Sequence, residues 1–258
     1  MIAKLFRGQR SLMIAGVVSF AFFVLFGAIT AFDQTLILGA DRWIKPMKFF
    51  ISIAIFLWTV AVYLNHVKGF DRSAKIIAWG TIITMIIEMV IIVMQAARGT
   101  TSHFNNSTPF NATMFAIMGL AIAVNTLLVG WLLFLYFKAD TDLSPALLWG
   151  ARLGITIFIL GSIEGGYMAR HMAHTVGAAD GGPGLPGVNW STIAGDLRIP
   201  HFFGLHSLQA IPVFAYLIDR YRIGWPTLGT VIFAGLYFVM FTALFAQALM
   251  GRPLIAAN

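Results

Sequence analysis

Residues Ile76 to Ala97 read IIAWGTIITMIIEMVIIVMQAA, a run whose only charged side chain is Glu88. As a helix rising 1.5 Å per residue, a run of this length covers about 33 Å, enough to cross the roughly 30 Å hydrocarbon core of a bilayer. Six more apolar runs flank it, and together they predict spans at Ser11–Phe32, Phe49–Leu64, Ile76–Ala97, Ala112–Phe137, Leu147–Ala169, Phe202–Ile218 and Leu228–Met250. The composition agrees: 59% of the 258 residues are hydrophobic, 10% are charged, and the mean hydropathy is +0.84. A soluble globule of this size needs more polar surface than that. The fold class expected is all-α, an integral membrane bundle of about seven transmembrane helices. No polar stretch is long enough to bury a core of its own, so residues 1–258 read as a single polytopic membrane domain.

The chain contains no cysteine, which removes disulfides, thiolate metal sites, iron–sulfur clusters and cysteine nucleophiles. Its net charge of +7 is explained by lysines and arginines flanking membrane spans, and no nucleic-acid partner is expected. The first apolar run follows Lys4, Arg7 and Arg10, as a signal peptide would, yet it is too long and lacks a small-residue cleavage site. It reads as a retained helix. With the N-terminus in the cytoplasm, the inner side carries Lys4, Arg7, Arg10, Lys68, Arg72, Lys75, Lys138, Arg152, Arg220 and Arg222, ten of the seventeen basic residues. The outer side carries Arg42, Lys45, Lys48, Arg98, Arg170, Arg198 and Arg252. The bias follows the positive-inside rule, and Trp79, Trp131, Trp149 and Trp225 then form an inner aromatic belt.

Ionisable groups inside hydrocarbon cost at least a few kcal/mol unless they face protein or water. Two glutamates lie there. Glu88 is followed seven residues later by Gln95, about 20° away on a helical wheel, and the same helix continues outward to Arg98, Ser102, His103 and Asn105. In the fifth helix Gly150, Gly154, Gly161 and Gly165 fall on one face as two GxxxG pairs, a surface on which another helix packs. Glu164 lies roughly 40° from that face and so points into the bundle, with His171 and His174 continuing outward. The sixth helix offers His206 and Gln209 at i, i+3, with Pro212 nearby; His201 lies about 140° from His206 and is assigned to a loop or another neighbour. Asn125, central in the fourth helix, faces the same interior. These residues define the candidate site: Glu88 and Glu164 as catalytic carboxylates, Gln95, Arg98, Asn125, Gln209, Asp196 and Arg198 as cofactor or substrate contacts, and His206, His171, His174 and His103 as metal ligands.

Between the fifth and sixth spans, Asp180-Gly-Gly-Pro-Gly-Leu-Pro-Gly-Val-Asn189-Trp190-Ser191 and then Gly195-Asp196-Leu197-Arg198 are too rich in glycine and proline for a helix. This stretch reads as an ordered outer cap over about residues 172–200, with Trp190 at the interface. Its glycines lack the strand and helix context of a nucleotide-binding fingerprint. Arg42, Lys45 and Lys48 surround Trp43 and Pro46, a proline suited to the first turn of the second helix. This cluster opposes the positive-inside trend and is suited to binding an anion, lipid phosphate included, or to pairing with Asp33, Asp41, Asp180 or Asp196.

Arg42-Trp43-Ile44-Lys45-Pro46-Met47-Lys48-Phe49, Gly195-Asp196-Leu197-Arg198 and the stretch from Gly204-Leu205-His206 through Gln209 and Pro212 resemble uncharacterised bacterial multi-pass inner-membrane proteins with no assigned activity. The resemblance spans most of the chain. It implies a bacterial cytoplasmic membrane with the cap on the periplasmic side, and it implies no chemistry.

The residues admit three functions. One is a metal-dependent or haem-dependent membrane enzyme with a pocket open to the extracytoplasmic side, in which carboxylates and imidazoles hold zinc, iron or manganese and Glu88 or Glu164 acts as general base. No HExxH, ExxH or histidine-box motif supports it, and the haem variant pairs His206 with an outer histidine. Another is a proton-coupled small-solute transporter or channel using Glu88 and Glu164, although no internal repeat is evident. The last is a receptor or assembly protein. Membrane lipids and a small-molecule substrate are the expected partners, and the pocket is expected where the third, fifth and sixth helices bring Glu88, Glu164 and His206 together.

Overall fold

In the computed structural model, residues 8–256 are described, and they contain seven helices long and apolar enough to cross a membrane. In chain order these are α1 (Arg10–Ile29), α2 (Ile44–Asn65), α3 (Asp71–Ala97), α4 (Pro109–Lys138), α5 (Pro145–His171), α6 (Arg198–Arg220) and α7 (Pro226–Leu249). Four two-residue strands complete the regular structure: β1 (Leu36–Ile37), β2 (Ala40–Asp41), β3 (Thr175–Val176) and β4 (Gly195–Asp196). The chain divides into two compact units, Met1–Asp140 and Thr141–Asn258. Lys4 and Arg7, counted above for orientation, lie outside the described residues.

The helices begin earlier than hydropathy alone predicts, and two of the shifts bear on function. α2 starts at Ile44, before Phe49, because Pro46 fits the first turn, where no intrahelical N–H is needed. Lys45 and Lys48 are therefore helical. α6 starts at Arg198, before Phe202, so His201 belongs to its first turn. Polar first turns escape a hydropathy window even though they continue the same helix.

In the first unit, α1 packs on α2 through Gly16. A β-carbon there would sit 2.2 Å from Trp58 Nε1, and the indole N–H donates to Met13 O at 3.2 Å. Phe22, Phe26 and Phe50 stack beside this contact. α3 begins with Asp71, an acidic residue at the positive end of the helix dipole. α4 is capped by Thr108, whose side-chain oxygen accepts from Asn111 N at 3.2 Å, with Pro109 in the first turn. α3 and α4 run antiparallel: Gln95 meets Asn111, Thr84 meets Asn125, and a β-carbon on Gly80 would lie 2.5 Å from Leu128. At the other end of α4, Tyr136 Oη donates to Tyr63 O at 3.0 Å, and Lys68 N donates to Asp140 O at 3.2 Å.

In the second unit, the glycine face of α5 receives α6. A β-carbon on Gly161 would meet Gly204 Cα at 2.7 Å, one on Gly150 would meet Ala215 Cβ at 2.8 Å, and one on Gly165 would meet the His201 ring at 2.6 Å. Ser207 Oγ lies against the backbone at the same seam, 2.8 Å from Gly154 O. This is the close backbone approach that small residues permit between membrane helices. α7 closes the unit through an apolar cluster of Ile157, Ile211, Ala234 and Tyr237, with Tyr237 Oη donating to Phe203 O at 2.7 Å.

The segment between α5 and α6 is ordered. α5 ends on Met172 in the left-handed region at φ +58°, and β3 pairs antiparallel with β4, Thr175 facing Asp196. Leu185 N bonds to Trp190 O at 2.8 Å and Thr192 N to Pro183 O at 3.1 Å, forming a second tight turn inside the first. A β-carbon on Gly195 would fall 2.0 Å from Ala248 O, so only glycine lets β4 lie against the end of α7.

Candidate functional site

Each unit contains one buried glutamate from a membrane-spanning helix, and each glutamate meets one histidine. Glu88, 2% exposed on α3, has Oε1 3.5 Å from His103 Nε2. His103 is outside any helix, in the α3–α4 connection. Glu88 is nine residues from the end of α3, about 14 Å along the axis; Gly99 at φ +71° and Phe104 at φ +56° turn the connection back so that His103 reaches it. The imidazole lies among the rings of Phe49, Phe104 and Phe115. Its other nitrogen, Nδ1, is 3.0 Å from Lys45 Nζ and 3.0 Å from Ser102 Oγ. An ammonium can only donate, so Nδ1 is the accepting nitrogen and the ring proton resides on Nε2, facing the carboxylate.

Glu164, 4% exposed on α5, has Oε2 3.0 Å from His201 Nδ1. The same nitrogen is 3.0 Å from Gly161 O. Both neighbours are acceptors, so Nδ1 carries the proton and donates to both, which leaves Nε2 as the basic nitrogen. Gly165 makes this possible, because any side chain there would occupy the place of the ring.

The two pairs share a pattern. The glutamate side chains are 3% exposed, while the His103 and His201 side chains are 25% and 30% exposed. The second carboxylate oxygen of each glutamate, Oε2 of Glu88 and Oε1 of Glu164, is buried without a hydrogen-bond partner. Buried polar atoms are normally satisfied, and an unpaired carboxylate oxygen is among the costlier exceptions.

The other sequence-derived candidates fall into separate local networks. Gln95 Nε2 donates to Asn111 Oδ1 at 3.0 Å, and Arg98 Nη1 donates to Gln95 Oε1 at 2.9 Å while its guanidinium covers the Phe110 ring. The chain continues from Asn111 through Ser107 to Asn105, pinning the α3–α4 connection. Asn125 meets Thr84 at 3.4 Å. His206 lies against the Phe202 ring, 4.3 Å between centroids, and bonds to Gln209. His171 stacks on Tyr167 one turn earlier on the exposed surface of α5. His174 Nδ1 is 3.3 Å from Asp180 Oδ1, and Asp180 also accepts from the backbone N–H of Thr175.

Asp196, the most deeply buried acid of the cap at 1% exposure, accepts from Ser191 N at 2.8 Å and from Arg198 N, Nε and Nη2. Arg198 also donates to Asn189 O. Burial alone would raise the Asp196 pKa, but the hydrogen bonds and charge of Arg198, with the Ser191 and Arg198 amides, outweigh it and hold the carboxyl below the usual carboxylate range. Asp196 and Arg198 are thus the internal staple of the cap. A comparable staple closes the turn after α1: Thr35, Trp43 and Arg42 all bond to Asp33 and hold its carboxyl well below its ordinary value. Arg42 of the basic cluster is accounted for by this pairing.

Among the described residues, no three side chains of His, Cys, Asp or Glu come together as a metal-ligand set. The metal-ligand role read for His206, His171, His174 and His103 therefore lacks support; each is held singly by the partners just named. Lys45 and Asn111 do more than the sequence indicated, and His201, set aside there, is the histidine that meets Glu164. No signal in α6 alone distinguishes His201 from His206, because a helical wheel fixes relative angles and not which side turns toward a neighbour. The matching signal was on α5, where Gly165 leaves room for a ring.

Comparison of the chain with protein-family models, curated proteins and solved structures finds no match.

Proposed function

We propose that this protein is a proton-coupled carrier of a small solute in a bacterial cytoplasmic membrane, with both carboxylate–histidine pairs open to the extracytoplasmic side. The observation that carries this reading is the division of each carboxylate: one oxygen on a partly exposed histidine, the other buried and unpaired. A histidine between water and a buried acid is a proton relay. At His201 a proton from water binds Nε2 while the Nδ1 proton passes to Glu164 Oε2. At His103 a proton enters Nδ1 from the Lys45 and Ser102 side while the Nε2 proton passes to Glu88 Oε1. In both cases the ring returns to its starting charge in the other tautomer, and the carboxylate becomes a neutral acid able to face a solute or hydrocarbon at far lower cost.

The lysine and arginine distribution supports a cytoplasmic N-terminus. Exposed apolar side chains such as Leu127 and Leu236 supply the lipid-facing surface, and the apolar length of all seven helices supports spanning.

The reading is tested in nanodiscs by following the carboxyl C=O stretch with infrared difference spectroscopy from about pH 4 to pH 9. Two protonation bands are expected, one lost in Glu88→Gln and the other in Glu164→Gln. In vesicles with a lumenal pH dye, a transported solute then acidifies the lumen through wild-type protein and not through either variant. Carboxyls that stay in one state across the whole range contradict the proposal.

A further inference from the structure

Glu88 and Gln95 lie on the buried side of α3. The opposite side is an apolar ridge that the carboxylate–histidine pair does not use. Trp79, Ile83, Ile86 and Val90 recur at intervals of four, three and four residues, which places them within about 60° of one another on a helical wheel and Glu88 about 170° from their midline. All four are more than half exposed. From Trp79 to Val90 the ridge runs about 16 Å along the axis, close to half of a roughly 30 Å hydrocarbon core. Its length is that of one leaflet.

Two cations stand at the end of this ridge. Arg72 is seven residues before Trp79 and about 20° from it on the wheel; Lys75 is four residues before and about 40° from it. Both side chains are exposed, and among the described residues neither makes an ion pair, the neighbouring Asp71 included. Other cations of the chain are spent internally: Arg42 on Asp33, Arg98 on Gln95 and Asn111, Arg198 on Asp196. Residues three apart on a helix are neighbours, so the planar guanidinium of Arg72 and the ammonium of Lys75 can hold one phosphate between them. Trp79, one turn further, is the side chain suited to the level where headgroups meet acyl chains.

We propose that Arg72 and Lys75 hold the phosphate of an anionic phospholipid whose acyl chain lies along Trp79, Ile83, Ile86 and Val90. Charge and shape select this occupant. A zwitterionic lipid brings its own ammonium against the two cations, and a free phosphate leaves the ridge uncovered; a lipid with net negative charge satisfies both. With the N-terminus in the cytoplasm, this end of α3 meets the inner leaflet, where anionic headgroups attract basic side chains. The inference goes beyond the proton reading and is independent of it, since the lipid and Glu88 occupy opposite sides of one helix.

The test uses the full chain in phosphatidylcholine vesicles containing a small fraction of acyl-brominated lipid, because bromine quenches a nearby indole. The Trp79 signal is obtained as the difference between wild type and Trp79→Phe. Brominated phosphatidylglycerol is expected to quench it with about thirtyfold higher apparent affinity than brominated phosphatidylcholine. The preference should fall to within about twofold when Arg72→Gln and Lys75→Gln are combined, with the melting temperature unchanged because both side chains are exposed, and Arg72→Lys should keep it. Equal quenching by the two lipids overturns the proposal, as does a preference that survives in the double variant. Displacement of brominated phosphatidylglycerol by glycerol phosphate as readily as by the unbrominated lipid also overturns it, since the site would then take a phosphate without the chain.

Discussion

Single side chains decide the chemistry. His103 and His201 are fixed in opposite tautomers by what touches Nδ1, an ammonium and a hydroxyl for His103 and two acceptor oxygens for His201. Replacing either ring with phenylalanine keeps the aromatic volume and removes the relay. The expected outcome is that the neighbouring glutamate's carboxyl band responds to a pH jump at least tenfold more slowly by time-resolved infrared spectroscopy, while the other glutamate is unaffected. In the cap, Asp196 gives a pH prediction of definite sign. Its folded-state pKa is depressed, so its contribution is complete above the unfolded-chain value near 4 and disappears as the pH falls through the lower folded value. Amide exchange at Ser191 through Leu197 should therefore be steady at neutral pH and, once corrected for intrinsic rates, accelerate in acid below about pH 4. Asp196→Asn should exchange about thirtyfold faster already at neutral pH, from the loss of roughly 2 kcal/mol of charge-assisted hydrogen bonding. Unchanged exchange in that variant would show that the staple does not hold the cap.

At the level of elements, the α5–α6 seam positions Glu164, and its glycines are unequal. Gly161 lies against the backbone of Gly204, whereas a β-carbon on Gly166 meets nothing within 4 Å. Gly161→Ala should lower the melting temperature by about 5 °C through helix separation and weaken the Glu164–His201 contact. Gly166→Ala should leave it unchanged or slightly raised, since alanine favours helix. This seam was legible in the sequence because the GxxxG spacing and Glu164 belong to one helix and one wheel. The partner was not legible, since hydropathy windows started the sixth helix at Phe202 and left His201 outside it. The α3–α4 connection was harder still. Ser102 and His103 looked like the outward end of a polar stripe, and no periodicity in a non-helical segment tells that two positive-φ residues fold His103 back onto Glu88.

For the whole molecule, the seven-helix membrane architecture could be read from apolar run lengths alone, because bilayer thickness imposes a length that soluble folds lack. The candidate site was read as a single convergence of Glu88, Glu164 and His206. Within the two compact units the structure pairs Glu88 with His103 and Glu164 with His201, a division of the acids between separate histidines. Sequence spacing cannot supply this division, which depends on which loop or helix end closes over each acid. The central claim is that both acids exchange protons with the extracytoplasmic side through their histidines, and it is tested most directly by a sided pH jump. With the protein reconstituted in one orientation, the pH is changed only outside or only inside while the carboxyl stretch is recorded. The account predicts that an extracytoplasmic jump protonates both glutamates promptly and that a cytoplasmic jump does not. Carboxyl bands that follow the cytoplasmic pH, or ignore both, would contradict it.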